Sequence, residues 1–190
     1  VRWCFWSSAR RGCFGLADLG VPHLVDGISP GGRPDLQILS MRRDEQALEP
    51  LLQELLAAQK YAVLATEDGG QPYTSLMAFS VSEDLCDLIL LTKRTTRKYA
   101  NLIANRRVAV FIDNRENVGT DTLEAVAVTA MGEAEEVTGD DGARLRDAYL
   151  VRHPYLEGFA TSPSCAIMRV RVRSYIVVRH FQDVLEWHIG

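Results

Sequence analysis

The sequence predicts a mainly β protein, a small antiparallel barrel of six or seven strands with only two or three helices. Short segments rich in β-branched and aromatic residues recur along the chain and are bounded by turn signals such as Asp68-Gly69-Gly70. Helical patterns are few, and they do not alternate with strands as they do in a doubly wound sheet. With 190 residues, 47% of them apolar, the chain can bury one sizeable core.

Residues 1–40 differ in character from the rest of the chain. They contain no acidic residue before Asp18, and they end in a Gly/Pro-rich run with no periodicity. The apolar core of a signal peptide is missing. We therefore expect an added or disordered extension, a natural start near Met41, and a single barrel domain over residues 41–190.

The first half of the predicted domain begins with a helix and continues as an antiparallel meander. From Glu49 the pattern is helical, and Pro50 stands where a first helical turn tolerates it. One face of this helix carries four leucines: Leu51, Leu52, Leu55 and Leu56. Three strands follow, predicted at residues 61–66, 72–81 and 87–92.

The second half is predicted to contain two helices and four more strand segments. The helices are expected at residues 97–105 and 141–152, the second of them stopped by Pro154. The strand segments are expected at residues 108–113, 123–137, 166–172 and 175–181. No internal repeat is present.

Charge and hydropathy exclude two classes of partner. The formal net charge is −4, so the chain lacks the positive field that draws proteins onto nucleic acid or anionic lipid. No apolar run approaches the roughly 20 residues that span a bilayer. We therefore expect a soluble, cytoplasmic protein with no nucleic-acid or membrane partner.

The four cysteines give no support for a metal site. They form no CxxC pair and have no histidine at the short spacings of zinc sites. Cys86 and Cys165 lie in or beside predicted strands, where a free cysteine behaves as a small buried hydrophobe. Nothing in this pattern demands an oxidising compartment.

The segment most informative about chemistry is LILLTKRTTRKYANLIAN, residues 88–105. A buried strand leads into the hydroxyl- and cation-rich turn 92–98, which opens a helix. Free N–H groups and the positive end of the helix dipole favour an anion there, Thr95 or Thr96 can cap the helix, and Arg97 can meet a phosphate with two hydrogen bonds. The turn fits a phosphate monoester. The alternative is a capped surface helix with solvated basic residues.

Four sequence elements occur in an order that resembles one protein family. They are Gly70 and Pro72 with the run Ser75-Leu76-Met77-Ala78-Phe79-Ser80, Leu91-Thr92 followed by Thr96-Arg97-Lys98, the segment 129–135, and Tyr149-Leu150-Val151-Arg152-His153-Pro154. In this order they resemble the FMN-binding split barrel of the pyridoxine phosphate oxidase family, over residues 47–188.

The resemblance implies a Greek-key-like split β-barrel that forms a homodimer with FMN at the subunit interface. The phosphate would be held by the turn and helix start, and the isoalloxazine edge would lie along strand residues 73–80, facing the backbone groups of Leu76 and Met77. Ser75 replaces the family's arginine, which implies a weaker, neutral contact. The implied cofactor-binding residues are Ser75, Leu76, Met77, Thr92, Thr96, Arg97 and Lys98.

The family's substrate-binding residues are not retained. Its lysine falls on Ser80, its substrate-phosphate arginine on His153 and a nearby serine on Glu157, while its C-terminal arginine-histidine pair has no equivalent. Arg152 is the one neighbour that could compensate. The resemblance therefore implies an FMN-dependent oxidoreductase that is not a true B6 phosphate oxidase, and no side chain stands out as a catalytic acid or base.

Three other functions stay open at this point. Haem-utilising relatives of the barrel share a PYxSL-like segment, present here at residues 72–76, so a haem-handling or flavin-binding protein without B6 chemistry is the first alternative. A deazaflavin used by other branches of the superfamily is the second. A dimeric barrel without any cofactor, acting as an interaction module, is the third.

Other residues carry two interpretations each. Arg169, Arg171 and Arg173 alternate along one strand face, where they could clamp an anionic substrate or pair with the acidic run at 133–136. His153 could respond to pH at the flavin face or cap a helix dipole. Trp187 could lie near the flavin edge or pack on the barrel.

Overall fold

The computed structural model describes residues 48–181 and 183–189. The extension predicted at residues 1–40 and the start proposed at Met41 lie outside these described residues. None of the helices in the described ranges is long and apolar enough to cross a membrane. In chain order the elements are α1 (48–58), β1 (Tyr61–Asp68), β2 (Gln71–Val81), β3 (Asp87–Lys93), α2 (Arg97–Ala104), β4 (Arg107–Asp113), α3 (Asp121–Glu124), β5 (Ala127–Glu136), α4 (Gly139–Arg152), a 3-10 turn (Pro154–Leu156), α5 (Glu157–Ala160), β6 (Cys165–Arg179) and β7 (Asp183–His188).

The strands form one antiparallel sheet that closes on itself. The order is β3-β2-β1-β4-β5-β6-β7, and β3 also pairs with β6, so β1 to β6 make a six-stranded barrel and β7 extends one edge. The long strand β6 makes this possible, because Cys165–Arg171 pairs with β3 and Ser174–Arg179 pairs with β7. The prediction of a small antiparallel barrel with six or seven strands is confirmed.

The barrel is split between β2 and β3. These two strands pair only over Phe79–Val81, whereas β2 pairs with β1 along Gln71–Ala78. Over residues 71–78 the other edge of β2 therefore has no strand beside it in the described part of the chain. This opening lies next to the turn that connects β3 to α2.

Alternate residues along each strand point into the barrel, and these inward side chains are mostly apolar. Leu64, Phe79 and Val110 are among the inward residues with no measurable exposure. Leu52 and Leu56 of α1 belong to the same core, so the leucine face predicted from sequence packs against the strands. A smaller cluster outside the barrel joins alternate residues of β3 to α4 and α5: Ile89, Leu91, Tyr149, Ala160 and Cys165.

A bulge in β6 lies opposite Met131 and Gly132 of β5. A Cβ atom on Gly132 would come within 2.3 Å of the carbonyl oxygen of Arg171, so only glycine allows the two strands to approach this closely. The bulge carries β6 through as one continuous strand. The two separate strands predicted at 166–172 and 175–181 are therefore wrong.

One further predicted element needs correction, and one strand was not predicted. The strand predicted at 123–137 is a short helix, α3, followed by β5, because Asp121 accepts hydrogen bonds from the backbone N–H groups of Glu116 and Val118 and holds that segment as a turn. Strand β7 was not predicted at all. It is a six-residue edge strand, and its inward residues Leu185 and Trp187 are only partly buried.

Candidate functional site

Two threonine hydroxyls meet where β3 ends and α2 begins. Thr92 is buried at the barrel end of β3, and its Oγ1 lies 3.0 Å from Oγ1 of Thr96. Thr96 has extended backbone angles and caps α2, accepting the N–H of Tyr99 at 3.4 Å. Of the two threonines proposed as caps, Thr96 is therefore the one used. The free N–H groups of the first helical turn lie beside these hydroxyls.

Two cations flank the threonine pair without a carboxylate partner. The guanidinium of Arg97 is exposed and lies over the ring of Tyr73, 4.9 Å from its centroid. The Nζ atom of Lys98 lies 3.2 Å from the sulfur of Met77, and burial lowers the pKa of Lys98. Among the described residues neither cation makes an ion pair, so the turn presents uncompensated positive charge.

The remaining arginine of the turn is already engaged. Arg94 donates from Nε to Glu136 at 3.0 Å, and from Nη1 to the carbonyl oxygens of Pro163 and Cys165, both at 2.9 Å. It therefore has little capacity left for an external anion. The sequence motif singled out Arg97 and not Arg94, but the partners of Arg94 could not be foreseen, since they lie on distant segments.

The open edge of β2 presents backbone groups to the same site. Phe79 N–H donates to the carbonyl of Lys60, on the β1 side of the strand. Because hydrogen-bonding direction alternates along a strand, the N–H and C=O of Leu76 point to the open edge, whereas those of Ser75 and Met77 point to β1. The Leu76 side chain is 68% exposed.

The side chains of Ser75 and Met77 lie on the inner face of β2. The Oγ atom of Ser75 is buried and has no hydrogen-bond partner in the described part of the protein, which is unusual for a buried hydroxyl. Met77 is buried and contacts Lys98. All seven residues singled out from sequence therefore lie around the split between β2 and β3, and Tyr73 joins them. Its position on the same strand face as Ser75 was the available signal for Tyr73.

His153 has neither of the roles considered from sequence. It is fully buried, its Nε2–H donates to the carbonyl of Phe79 at 2.8 Å, and its Nδ1 lies 2.9 Å from the hydroxyl of Tyr155. Both ring nitrogens are thus occupied inside the packing of α4 on β2. The histidine joins these elements and neither faces the site nor caps a helix with its ring.

Arg152 is also engaged away from the site. Its Nη2 donates to the carbonyl oxygens of Leu56 and Ala57 at 2.7 and 2.9 Å, and a third bond reaches Gln59. Arg152 therefore binds the C-terminal carbonyls of α1 and is not free to replace a substrate-binding arginine. Ser80 is buried, and Glu157 is exposed at the start of α5.

The arginine face of β6 carries cross-strand ion pairs. Arg169 and Arg171 both bind Glu135, and Arg173 lies 3.6 Å from Glu133. These pairs favour the ion-pair interpretation over an anion clamp. Trp187 stacks on Tyr175 at 6.1 Å between ring centroids, so this tryptophan packs on the barrel.

Part of the outer surface of the barrel is apolar and partly exposed. We define the outer sheet face by alternate residues of three neighbouring strands: Val63, Ala65, Ala109, Phe111, Thr129 and Met131. A hollow of about 470 Å³ lies on this face, with Ala65, Ala109 and Met131 in its lining. Patches of this kind on a folded chain commonly mark a contact surface.

Three solved structures illustrate the similarity of this fold to known proteins. A haem-binding protein from Mycobacterium smegmatis has a TM-score of 0.63 at 19% identity, and the match covers 70% of this chain and 55% of that one, so this chain spans about half its length. A FAD-binding protein from Mesorhizobium loti has a TM-score of 0.55 at 21% identity, covering 69% and 90% of the two chains. At these identities the similarity shows the fold alone.

The third structure is a Clostridium acetobutylicum protein related to general stress protein 26, of the pyridoxinephosphate oxidase family. Its TM-score is 0.60 at 17% identity, and the match covers 76% of this chain and 96% of that one. A comparison with curated protein sequences finds no match. The family model described as pyridoxamine 5'-phosphate oxidase matches residues 48–178, which is most of the chain. The chain therefore belongs to the pyridoxamine 5'-phosphate oxidase family, as a split-barrel protein.

Proposed function

We propose that this protein is an FMN-binding, flavin-dependent oxidoreductase that works as a homodimer and does not oxidise B6 phosphates. One observation carries the proposal. Thr92, Thr96, Arg97 and Lys98 meet at the start of α2 with uncompensated positive charge, directly beside the open edge of β2. A phosphate and an attached flat ring system need these two surfaces side by side.

The turn fits a phosphate monoester dianion. Two hydroxyls and the free N–H groups of a helix start can donate to its oxygens, and Arg97 and Lys98 supply the charge. Burial disfavours the charged form of Lys98 in the unliganded protein, so a neighbouring dianion would relieve a local cost. Riboflavin, which lacks the phosphate, would leave all these donors unused.

The strand beside the turn fits the edge of an isoalloxazine. Leu76 offers one N–H and one C=O at the open edge. Next to it, the Ser75 hydroxyl, which has no hydrogen-bond partner among the described residues, is a further polar group. A flavin held there would supply hydride or electron transfer, while the chain supplies position and electrostatics. None of the described side chains at the split is an evident acid or base.

The outer sheet face supports a second copy of the chain as partner. Its apolar residues belong to β1, β4 and β5, next to β2 in the sheet order, and they are partly exposed in the single chain. Leu76 extends this apolar surface across β2, because it pairs directly with Val63. A dimer that covers the outer sheet face would also cover the open edge of β2, and it would exclude water from a ring bound there.

We expect no oxidation of B6 phosphates because of the residues that occupy the positions of the family's substrate-binding side chains. Ser80 and His153 are buried, Arg152 binds the end of α1, and Glu157 adds a negative charge. A second phosphate dianion would find no fixed cation among these residues. Each missing charge-assisted hydrogen bond costs about 1.5–3 kcal/mol, so kcat/KM would fall by several powers of ten.

The second candidate function is haem handling, which the similarity to the haem-binding protein from Mycobacterium smegmatis favours. Against it, both ring nitrogens of His153 already have partners, which removes this histidine as an axial ligand. The other two histidines in the described ranges, His180 and His188, are both exposed.

Absorption spectroscopy of the purified protein distinguishes these functions. We expect FMN to bind more tightly than riboflavin, and the bound flavin to be bleached by NADH or NADPH without air. Aerobic incubation with pyridoxine or pyridoxamine phosphate should give no pyridoxal phosphate. A colourless protein that ignores FMN but shifts the Soret band of added haem would refute the flavin assignment, and turnover of a B6 phosphate would return the protein to the oxidase class.

A further inference from the structure

Arg94 stands in the middle of the cation-rich turn, yet its donors are directed away from the threonine pair. Its Nε and Nη2 bind one oxygen of Glu136, and its Nη1 binds the carbonyl oxygens of Pro163 and Cys165. Its backbone N–H also donates to the carbonyl of Ser164 at 3.0 Å. Arg94 therefore connects the turn to the end of β5 and to the segment at the start of β6.

Glu136 connects Arg94 to helix α2. It is the last residue of β5, its side chain is only 17% exposed, and its second oxygen accepts the hydroxyl of Tyr99 at 2.7 Å. Tyr99 lies in the first turn of α2, immediately after Arg97 and Lys98. One carboxylate thus ties both the turn and the helix start to the end of β5.

We infer that Glu136 is a positioning residue for the phosphate of the cofactor, acting through Arg94 and Tyr99 on the shape of residues 93–98. This inference rests on the proposed function and identifies a residue that holds its phosphate site in one conformation. The helix-start N–H groups, the Thr96 hydroxyl and Arg97 converge only if the turn holds one conformation.

Glu136 also affects which cations meet the phosphate. Its charge neutralises Arg94, so Arg97 and Lys98 are the cations next to the threonine pair that stay without an ion pair among the described residues. Removing the carboxylate would free Arg94 to move and would release the Tyr99 hydroxyl from its only hydrogen bond among the described residues. Both changes would disorder donors that serve the phosphate and leave the open edge of β2 unaltered.

The test compares dissociation constants for FMN and riboflavin in wild type, Glu136→Gln and a matched control, Glu133→Gln. Glu133 lies on the same strand but pairs with Arg173, away from the turn. For Glu136→Gln we expect the preference for FMN over riboflavin to fall about tenfold, with riboflavin affinity within about twofold of wild type. The control should keep the wild-type preference.

A milder variant, Tyr99→Phe, covers the case in which Glu136→Gln does not fold. It removes one hydrogen bond to Glu136 and leaves Arg94 in place, so the preference for FMN should fall about threefold.

The outcomes separate three cases. Equal losses of FMN and riboflavin affinity, or a lower melting temperature with the preference unchanged, would show a merely structural role and overturn the inference. A wild-type protein that binds both flavins equally would overturn the proposed phosphate site, and the inference with it. A selective loss of FMN affinity supports both.

Discussion

At the scale of single residues, three cations of the turn between β3 and α2 differ in their surroundings. Arg94 is neutralised by Glu136, Arg97 is held over Tyr73, and Lys98 is partly buried against Met77. The sequence motif pointed to Arg97 and Lys98, but it does not show which partner each cation has. Their separation depends on partners from β2 and β5, at sequence distances where no local pattern operates.

Arg97 should be the main charge contact with the phosphate. Charge-assisted hydrogen bonds contribute about 1.5–3 kcal/mol each, so Arg97→Ala should weaken FMN binding at least about tenfold. Riboflavin binding should be nearly unchanged. Fluorescence titration of both flavins measures this, with the exposed surface residue Arg144 mutated to alanine as control. Equal losses for the two flavins would refute this placement of the phosphate.

Lys98 should make FMN binding depend on pH in the alkaline range. Burial lowers its pKa below the ordinary 10.5, so the free protein loses this charge at a lower pH than an exposed lysine does. FMN affinity should therefore fall more steeply than riboflavin affinity as pH rises toward 10.5, because only FMN carries the phosphate that Lys98 would contact. Lys98→Arg keeps its charge and should flatten the FMN profile. Identical profiles in wild type and Lys98→Arg would contradict this role.

The same pKa shift fixes the sign of a stability effect in the unliganded protein. Between the lowered pKa of folded Lys98 and its unfolded value, the unfolded chain binds more protons than the folded chain does. The contribution of Lys98 to the free energy of unfolding therefore rises with pH across that interval. Bound FMN should weaken this dependence, because the phosphate favours the charged lysine.

At the scale of elements, local patterns predicted the pieces that form the site. The strand at Asp87–Lys93 and the helix at Arg97–Ala104 lie within one residue of their predicted limits, since an apolar run and a threonine cap mark them clearly. The errors occur at α3, at β6 and at β7. There the structure depends on a carboxylate-bound loop, a bulge opposite Gly132 and a weak edge strand, which tertiary contacts determine.

Arg152 should be important for stability and unimportant for cofactor binding. It donates to the carbonyls at the end of α1, and its guanidinium lies 5.4 Å from the ring centroid of Phe79. Arg152→Ala should lower the free energy of unfolding by about 3 kcal/mol. Arg146, whose polar contacts among the described residues are all with its neighbour Asp147, is the control, and Arg146→Ala should change the free energy of unfolding by less than about 0.5 kcal/mol. Denaturant unfolding that shows similar changes for both variants would contradict the role of Arg152.

At the scale of the whole molecule, the split in the barrel decides where a ligand can bind. Because β3 leaves β2 after Phe79–Val81 and pairs with β6, an open strand edge forms beside a helix start. Motif order predicted from sequence that a cofactor is bound here, and in the structure Ser75, Leu76 and Met77 lie next to the turn. The sequence could not reveal the contact of Arg97 with Tyr73 or that of Arg94 with Glu136, since both contacts join residues far apart in the chain. FMN and the second copy stay predictions.

Binding of FMN by a homodimer is tested most directly by sedimentation velocity recorded at the flavin absorbance. In wild type we expect the flavin to sediment at twice the chain mass, with about one FMN per chain. Ala109→Arg, which places a charge on the outer sheet face, should give a monomer that loses the flavin. Flavin that sediments with a monomer, or that stays free while the protein sediments, would contradict the claim.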